Sequence, residues 1–527
     1  MRRARTSTRR HGSRAHWWAV GCSTVLLGAV LAAWALLTPT YRAPDEPMHV
    51  STSLRLAEYE RYPAPGRAQM DPAVLASFRW MRYYGIRGRT PVIEQPANVS
   101  AAPSMQRLAA PDVARPNTAV DQMTQHPPGY YLYLAGGIRL LGLDALPPGP
   151  FVLVLRLLSA ALLLPLPWLC LLVAREVGLR PRAAAATTFL PASWMQFTST
   201  SASVNNGTLL VLATSLVLAA LVPVTRGRVG VGRAVVVGLA VSLALLTKGF
   251  ALALLPVVVV AYLVGVRHGG FWRALRGCLV ALAFSCCGLW WWLLNLQRYG
   301  QLQPKGTLDP AGLPVVRPAS EWVGEFGLTW MRTMWVALGW AEGRPSVWLY
   351  SAATGLLVLA ILVGTVMLRR RLGAALVLHL AWLGPLAIVA AGSYEEFMAS
   401  GVTRAAQGRY VQTAVVAFAV LVAAAVCRLT RLLPWVPLLV LLAAVGGADY
   451  GVLHFWEPAP GWYPPQGRLV AMASWLPGGL TAPVAVTATA VVAALAGCGA
   501  VRASPAQHPP TPAVVHDGAH RLEPVAG

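Results

Sequence analysis

The chain has 527 residues, 56% apolar and only 12% charged, with 20 tryptophans and a formal net charge of +23. Soluble domains carry about a quarter charged residues, so a soluble enzyme is excluded, and repeated apolar runs of about 18 residues or more mark a polytopic helical membrane protein. The positive charge does not imply a nucleic-acid partner, because the arginines sit in short loops between apolar runs, as membrane orientation requires.

Residues 1–16 hold six arginines and no acid, which makes them a basic cytoplasmic N-terminus. The run from Trp17 to Thr38 is longer than a usual signal core and has no convincing cleavage site after it, so an uncleaved first span is expected. A polar segment then fills 39–150, an extracytoplasmic loop with short helical pieces. It ends in Gln125-His126-Pro127-Pro128-Gly129-Tyr130-Tyr131 and an apolar run to about Leu143. That run is short for a span. Were it to cross, Arg175, Arg180 and Arg182 would lie outside, so it is expected to lie along the outer interface.

Further spans are expected near 151–174, 183–200, 205–224, 231–247, 249–266, 276–296, 347–368, 372–392, 409–427, 432–453 and 480–501. With the first, the membrane domain, 17–501, has about twelve. The five short inner loops carry fourteen arginines and the two short outer loops only Arg404 and Arg468, which places both termini in the cytoplasm of a multi-pass plasma-membrane protein. Nearly all carboxylates then fall outside. A second large outer loop, 297–346, brings Trp322, Phe326 and Trp330 onto one helical face. This suits an interfacial helix or ordinary packing against the first outer loop. The tail, 502–527, is rich in Pro, Ala and His and is expected to be disordered and cytoplasmic. The seven cysteines lie in apolar runs without zinc-ligand spacing, so neither a disulfide framework nor a cysteine metal site is expected.

The chemistry-bearing residues gather on the outer side. Pro44-Asp45-Glu46-Pro47-Met48-His49 leaves the first span. Prolines stiffen its backbone, and acids fixed at a membrane surface suit proton abstraction or cation binding. A charged helix stop is the plainer reading. His126 either caps a helix begun by prolines or joins the site. Gln196, Thr198, Ser199, Thr200, Asn205 and Asn206 form a polar hairpin tip. Lys248 interrupts an apolar region, as a snorkelling residue or a functional one. Arg409, in Gly408-Arg409-Tyr410, is a helix-end anchor or an anion ligand. Carboxylates with cations at headgroup depth suit a substrate with a phosphate in the interface and a hydroxyl to be deprotonated.

These features together resemble the GT-C glycosyltransferases: acids after span one, a long first outer loop, the His-Pro-Pro-Gly-Tyr-Tyr entry, and Arg156-Leu157-Leu158-Ser159-Ala160 opening the next span. More closely, the Pro-Asp-Glu-Pro-x-His signature, Thr247-Lys248 and Gly408-Arg409-Tyr410 resemble a group of GT-C-like bacterial membrane proteins. The resemblance implies an all-α GT-C-like fold that transfers a sugar from a polyprenyl-phosphate donor to an envelope lipid, glycan or protein acceptor. It implies Asp45 as the base, with Glu46 as its partner or a metal ligand. It further implies Lys248 and Arg409 on the donor phosphate, with His49, His126 and Tyr410 around the substrate. A divalent metal at Asp45 and Glu46 is allowed but not required; the other partners are membrane lipids. Where related chains often place an acid at the hairpin tip, this one reads Asn205-Asn206-Gly207. The competing readings are a lipid or polysaccharide flippase and a non-catalytic envelope-assembly protein.

Overall fold

A computed structural model describes residues 2–59, 62, 64–81, 101–110, 113, 119–304, 317–339, 345–456, 467–476 and 478–506. Among these the fold is all helical, apart from one antiparallel bridge between Gln69 and Val120. The basic residues before Arg14 continue the first helix, Arg2–Leu37, and the tail from 507 lies outside the described residues.

Among the described residues, ten helices are long and apolar enough to cross a membrane: Arg14–Leu37, Pro148–Glu176, Gly207–Arg226, Gly249–Gly269, Phe271–Tyr299, Val347–Met367, Arg369–Ser400, Gly408–Val426, Leu433–Phe455 and Thr481–Ala503. Two of the about twelve expected runs join the two ends of the bundle without a helix of that length. The 183–200 run is broken into a helix Pro181–Thr187, a 3₁₀ turn Leu190–Ser193 and a helix Met195–Ser201. Pro191 removes a backbone donor there, and Trp194 is extended, at φ −93° and ψ 99°. The 231–247 run gives a helix of only 15 residues, Val231–Leu245. It ends in the turn that presents Lys248. Within Pro148–Glu176, Pro165 and Pro167 separate two helical pieces, Pro148–Ala161 and Leu166–Glu176.

The segment after His126 is a 13-residue helix, Gly129–Leu141, and it is not among the candidate spans. It packs on Glu46–Tyr59, the helix that opens the 39–150 segment. Asp121 fastens that loop to it. Its buried carboxylate accepts from Ser51 Oγ at 2.7 Å and Thr52 Oγ1 at 3.0 Å, and burial pushes its pKa up to about 6. In the second large loop, the helix Ala319–Trp335 stacks Trp322 on Phe326 at 4.9 Å and against Tyr394 at 5.2 Å.

Two glycines set how these segments meet the rest of the bundle. The Gly129 N–H donates to the Leu246 carbonyl at 2.8 Å, and a Cβ there would stand 2.6 Å from that oxygen. The entry of the Gly129–Leu141 helix thus docks directly on the turn before Lys248. The Gly408 N–H donates to Thr333 Oγ1 at 2.7 Å, and a Cβ on Gly408 would collide with the Trp330 carbonyl oxygen. The 3₁₀ segment Gly408–Ala414 is therefore held against the Ala319–Trp335 helix.

Candidate functional site

Five segments converge at one end of the bundle: the turn after the first helix, the start of Gly129–Leu141, the hairpin tip around Asn205, the turn at Lys248 and the 3₁₀ segment carrying Arg409. The turn at 39–45 decides the directions of the two acids. Asp45 has φ +59°, a left-handed conformation that Asp tolerates better than most side chains. Glu46 opens the next helix, and the two carboxylates point into different surroundings.

Glu46 is fully buried. Arg156 Nε donates to its Oε1 at 2.7 Å and Nη2 to its Oε2 at 2.6 Å. The Val204 N–H donates to Oε1 at 3.2 Å and the Tyr41 N–H to Oε2 at 3.0 Å. The remaining guanidinium donors go to the carbonyls of Ala35, Thr38 and Pro39, at and just past the C-terminal end of the first helix. All five N–H groups of Arg156 are thereby used. This knot ties the first helix, the Glu46–Tyr59 helix, the second span and the hairpin tip together.

Asp45 instead faces a cleft. Its Oδ2 lies 3.2 Å from Arg409 Nη2, with the aspartate side chain 25% exposed and the arginine 8%. Pro44, Gln196, Thr333, Ala337, Gly339 and Gln407 complete the walls, around about 330 Å³ of empty space. Arg409 is shared with a second cleft of about 450 Å³, whose polar lining includes Lys248, Thr200, Asn205, Thr208 and Gln412. The arginine thus stands between a carboxylate compartment and a basic one.

Lys248 has no carboxylate partner among the described residues. Its Nζ donates to Asn206 Oδ1 at 3.3 Å and lies over two rings, 5.1 Å from the centre of Tyr410 and 5.5 Å from Phe250. Arg409 lies 5.6 Å from the same Tyr410 ring. Tyr410 is therefore a shared aromatic floor for two cations. Burial, then the charge of Arg409, push the Lys248 pKa down to about 8, against the opposing pull of Asp45. Two cations this close, with one partly neutralised by Asp45, leave room for an added anion.

His49 and His126 lie behind this wall and line neither cleft. His49 Nδ1 is 3.0 Å from the Tyr131 hydroxyl, and the two rings stack at 5.9 Å. His126 accepts the Tyr62 hydroxyl on its carbonyl at 2.6 Å, while its Nδ1 is buried without a partner among the described residues. Burial, and then the nearby cations, hold both imidazoles well below their usual pKa. They are neutral near pH 7.

Three further residues stand out. Arg156 holds Glu46; an arginine inside an apolar span was the available signal. Tyr130 accepts from Ser159 or donates to it at 2.6 Å, and its hydroxyl receives the Asn205 N–H at 2.8 Å, which sets the hairpin tip. Gln196 lines the Asp45 cleft with Oε1 unpartnered among the described residues. No sequence feature separates it from the other polar residues of the tip.

The family model for a predicted membrane protein, DUF2142, matches residues 27–422. The chain belongs to the DUF2142 family. That match takes in every residue of both clefts and of the Glu46 knot. No curated protein matches the chain. Solved structures similar to this DUF2142 chain include ArnT from Cupriavidus metallidurans bound to undecaprenyl phosphate, at 16% identity and TM-score 0.47, covering 90% of this chain and 75% of that one. The Archaeoglobus fulgidus oligosaccharyltransferase in complex with Zn and sulfate is similar at 16% identity and TM-score 0.40, covering 83% and 54%. Archaeoglobus fulgidus AglB, with an inhibitory peptide and a dolichol-phosphate, is similar at 13% identity and TM-score 0.39, covering 94% and 56%. The chain thus matches about half the length of the archaeal proteins.

Proposed function

We propose that the protein is a GT-C-type inverting glycosyltransferase that moves a sugar from a polyprenyl-phosphate donor to a hydroxyl of an envelope lipid, glycan or protein on the outer membrane face. The observation that carries this reading is Arg409 standing between Asp45 and Lys248, with a cleft on either side. The arginine asymmetry of the loops supports the outward orientation.

In this reading the donor phosphate sits against Lys248 and Arg409, and the acceptor enters beside Asp45. Asp45 takes the proton of the acceptor hydroxyl. The acceptor oxygen bonds to the anomeric carbon as the bond from that carbon to the phosphate oxygen breaks. The electron pair leaves with the polyprenyl phosphate, whose growing charge the two cations stabilise. Attack opposite the phosphate inverts the anomeric centre. Arg409 has five donors, so it holds phosphate with some while others keep Asp45 aimed.

Glu46 has a positioning role here, because both of its oxygens are taken. Asp45 and Glu46 do not converge, and among the described residues no group of three His, Cys, Asp or Glu side chains forms a metal-binding cluster. With both of its oxygens taken, Glu46 does not share an ion with Asp45. His49 and His126 support the cleft wall as neutral groups; Tyr410 is the floor beneath the phosphate.

The test is a reconstituted assay with labelled polyprenyl-phosphate sugars that reads donor binding, product formation and movement across the bilayer separately. Inverted glycoside product that requires Asp45 is the expected result. Donor crossing the bilayer without product would replace the reading by a flippase, and binding without either would leave an assembly protein.

A further inference from the structure

The opposite end of the bundle carries a second charged cleft. His16 Nε2 lies there, 3.1 Å from the Pro181 carbonyl oxygen. From His16 to Leu37 the first helix rises roughly 30 Å at 1.5 Å per residue, about the thickness of a hydrocarbon core. The cleft is therefore separated from the Asp45 site by one bilayer. It encloses about 820 Å³ of empty space where the start of Pro181–Thr187, the turn before Leu433–Phe455 and the end of Thr481–Ala503 meet.

Arg182, Arg431 and Arg502 face this space, with Thr430, Pro434 and Trp435. No residue lining it is acidic. Arg182 is held in place: its Nε donates to the Ser504 carbonyl at 3.1 Å and its Nη2 to the Arg502 carbonyl at 3.0 Å. Arg431 and Arg502 are exposed and pair with no carboxylate among the described residues. Positive loops on one membrane side are ordinary, but three arginines from three separate segments converging on one cavity are more than that rule requires.

The cleft opens along two apolar stripes that run toward the membrane. On one helix Trp435, Leu439 and Leu442 follow at i, i+4 and i+7; on the other, Arg502, Gly499, Leu495 and Val492 fall on one face. Trp435, Leu439, Leu442, Leu495 and Val492 are all exposed, and the two helices pack together. A basic head with an exposed aromatic at its rim and two exposed apolar stripes beneath has the layout of one phospholipid.

We propose that this cleft binds an anionic phospholipid, with its phosphate between Arg431 and Arg502 and its acyl chains against the exposed stripes that carry Leu439 and Leu495. This inference is independent of the chemistry assigned to Asp45. The test uses the full chain in detergent, titrated with phosphatidylglycerol, phosphatidylcholine of the same chains, or inorganic phosphate, and read by native mass spectrometry. Phosphatidylglycerol should be retained preferentially. Arg431→Gln/Arg502→Gln should reduce its affinity by about thirtyfold, while Arg369→Gln/Arg370→Gln, an equal loss of charge outside the cleft, should not. Equal retention of the two lipids, or equal loss in both double variants, would overturn the proposal. Displacement of the lipid by millimolar inorganic phosphate would overturn it in favour of a soluble phosphate ligand.

Discussion

The knot around Glu46 and the cleft beside Asp45 are one peptide bond apart. Around Glu46 two carboxylate oxygens meet Arg156 and two backbone donors, and every guanidinium N–H has an acceptor. Beside Asp45 a single 3.2 Å ion pair faces open space, and the neighbouring Lys248 has only a neutral oxygen and two ring faces. A satisfied buried charge network holds segments in register. An under-satisfied one at a cleft has capacity left for a ligand. Residue type is nearly the same in the two places; the difference lies in how many donors and acceptors remain free.

Removing the carboxylate at each position separates the two most sharply. Asp45→Asn should lower turnover by about 10²–10⁴-fold, and should cost less stability than Glu46→Gln, because Asp45 makes a single 3.2 Å ion pair at a cleft rather than a fully satisfied buried network. Asn also tolerates the left-handed backbone at this position. Donor binding should hold or tighten, since Arg409 is released to the phosphate. An active Asp45→Asn protein beside a folded, inactive Glu46→Gln would exchange the two roles.

Glu46→Gln should act on folding. It leaves a buried Arg156 without its counter-charge, a change expected to cost about 3–5 kcal/mol. Unfolding in detergent, followed by temperature or denaturant, checks this. Glu46→Gln with Arg156→Met should recover part of the loss, as no stranded charge then remains. Unchanged stability in the single variant would mean that the knot does not hold the turn.

Lys248→Met should leave the fold intact and weaken donor binding by about ten- to a hundredfold, the range for a hydrogen bond to a charged group. Titrating a polyprenyl-phosphate sugar against both proteins measures it. Identical affinities would remove Lys248 from the phosphate site and leave Arg409 alone there.

The smallest effect is the pH dependence of that same site. The Lys248 pKa is lowered from 10.5 to about 8 in the folded protein, so the unfolded chain holds the proton more tightly. Its contribution to stability therefore rises with pH between about 8 and 10.5. Donor binding runs the other way. The ammonium is lost as pH rises through about 8, and affinity should fall by up to tenfold per pH unit above it. In Lys248→Met this slope should vanish. A slope that persists in the variant belongs to another group.

Much of this was legible in the chain itself. Apolar runs, prolines at the exit of the first span and arginines in alternate loops determined a polytopic helical membrane protein, because length and polarity alone decide what a bilayer accepts. Asp45, Lys248 and Arg409 stood out for a related reason: charge next to an apolar run is costly to keep without a use. Tertiary structure decided the rest. Whether 183–200 crosses as one helix depended on how Pro191 and Trp194 pack at the broken turn. Only the folded chain brought Arg156 across 110 positions to Glu46, Arg409 across 364 to Asp45, and Arg182, Arg431 and Arg502 to one cleft. Hydrogen-bond satisfaction is a property of three-dimensional neighbours. It therefore fell to the fold to distinguish the acid that is fully tied from the adjacent one that is not.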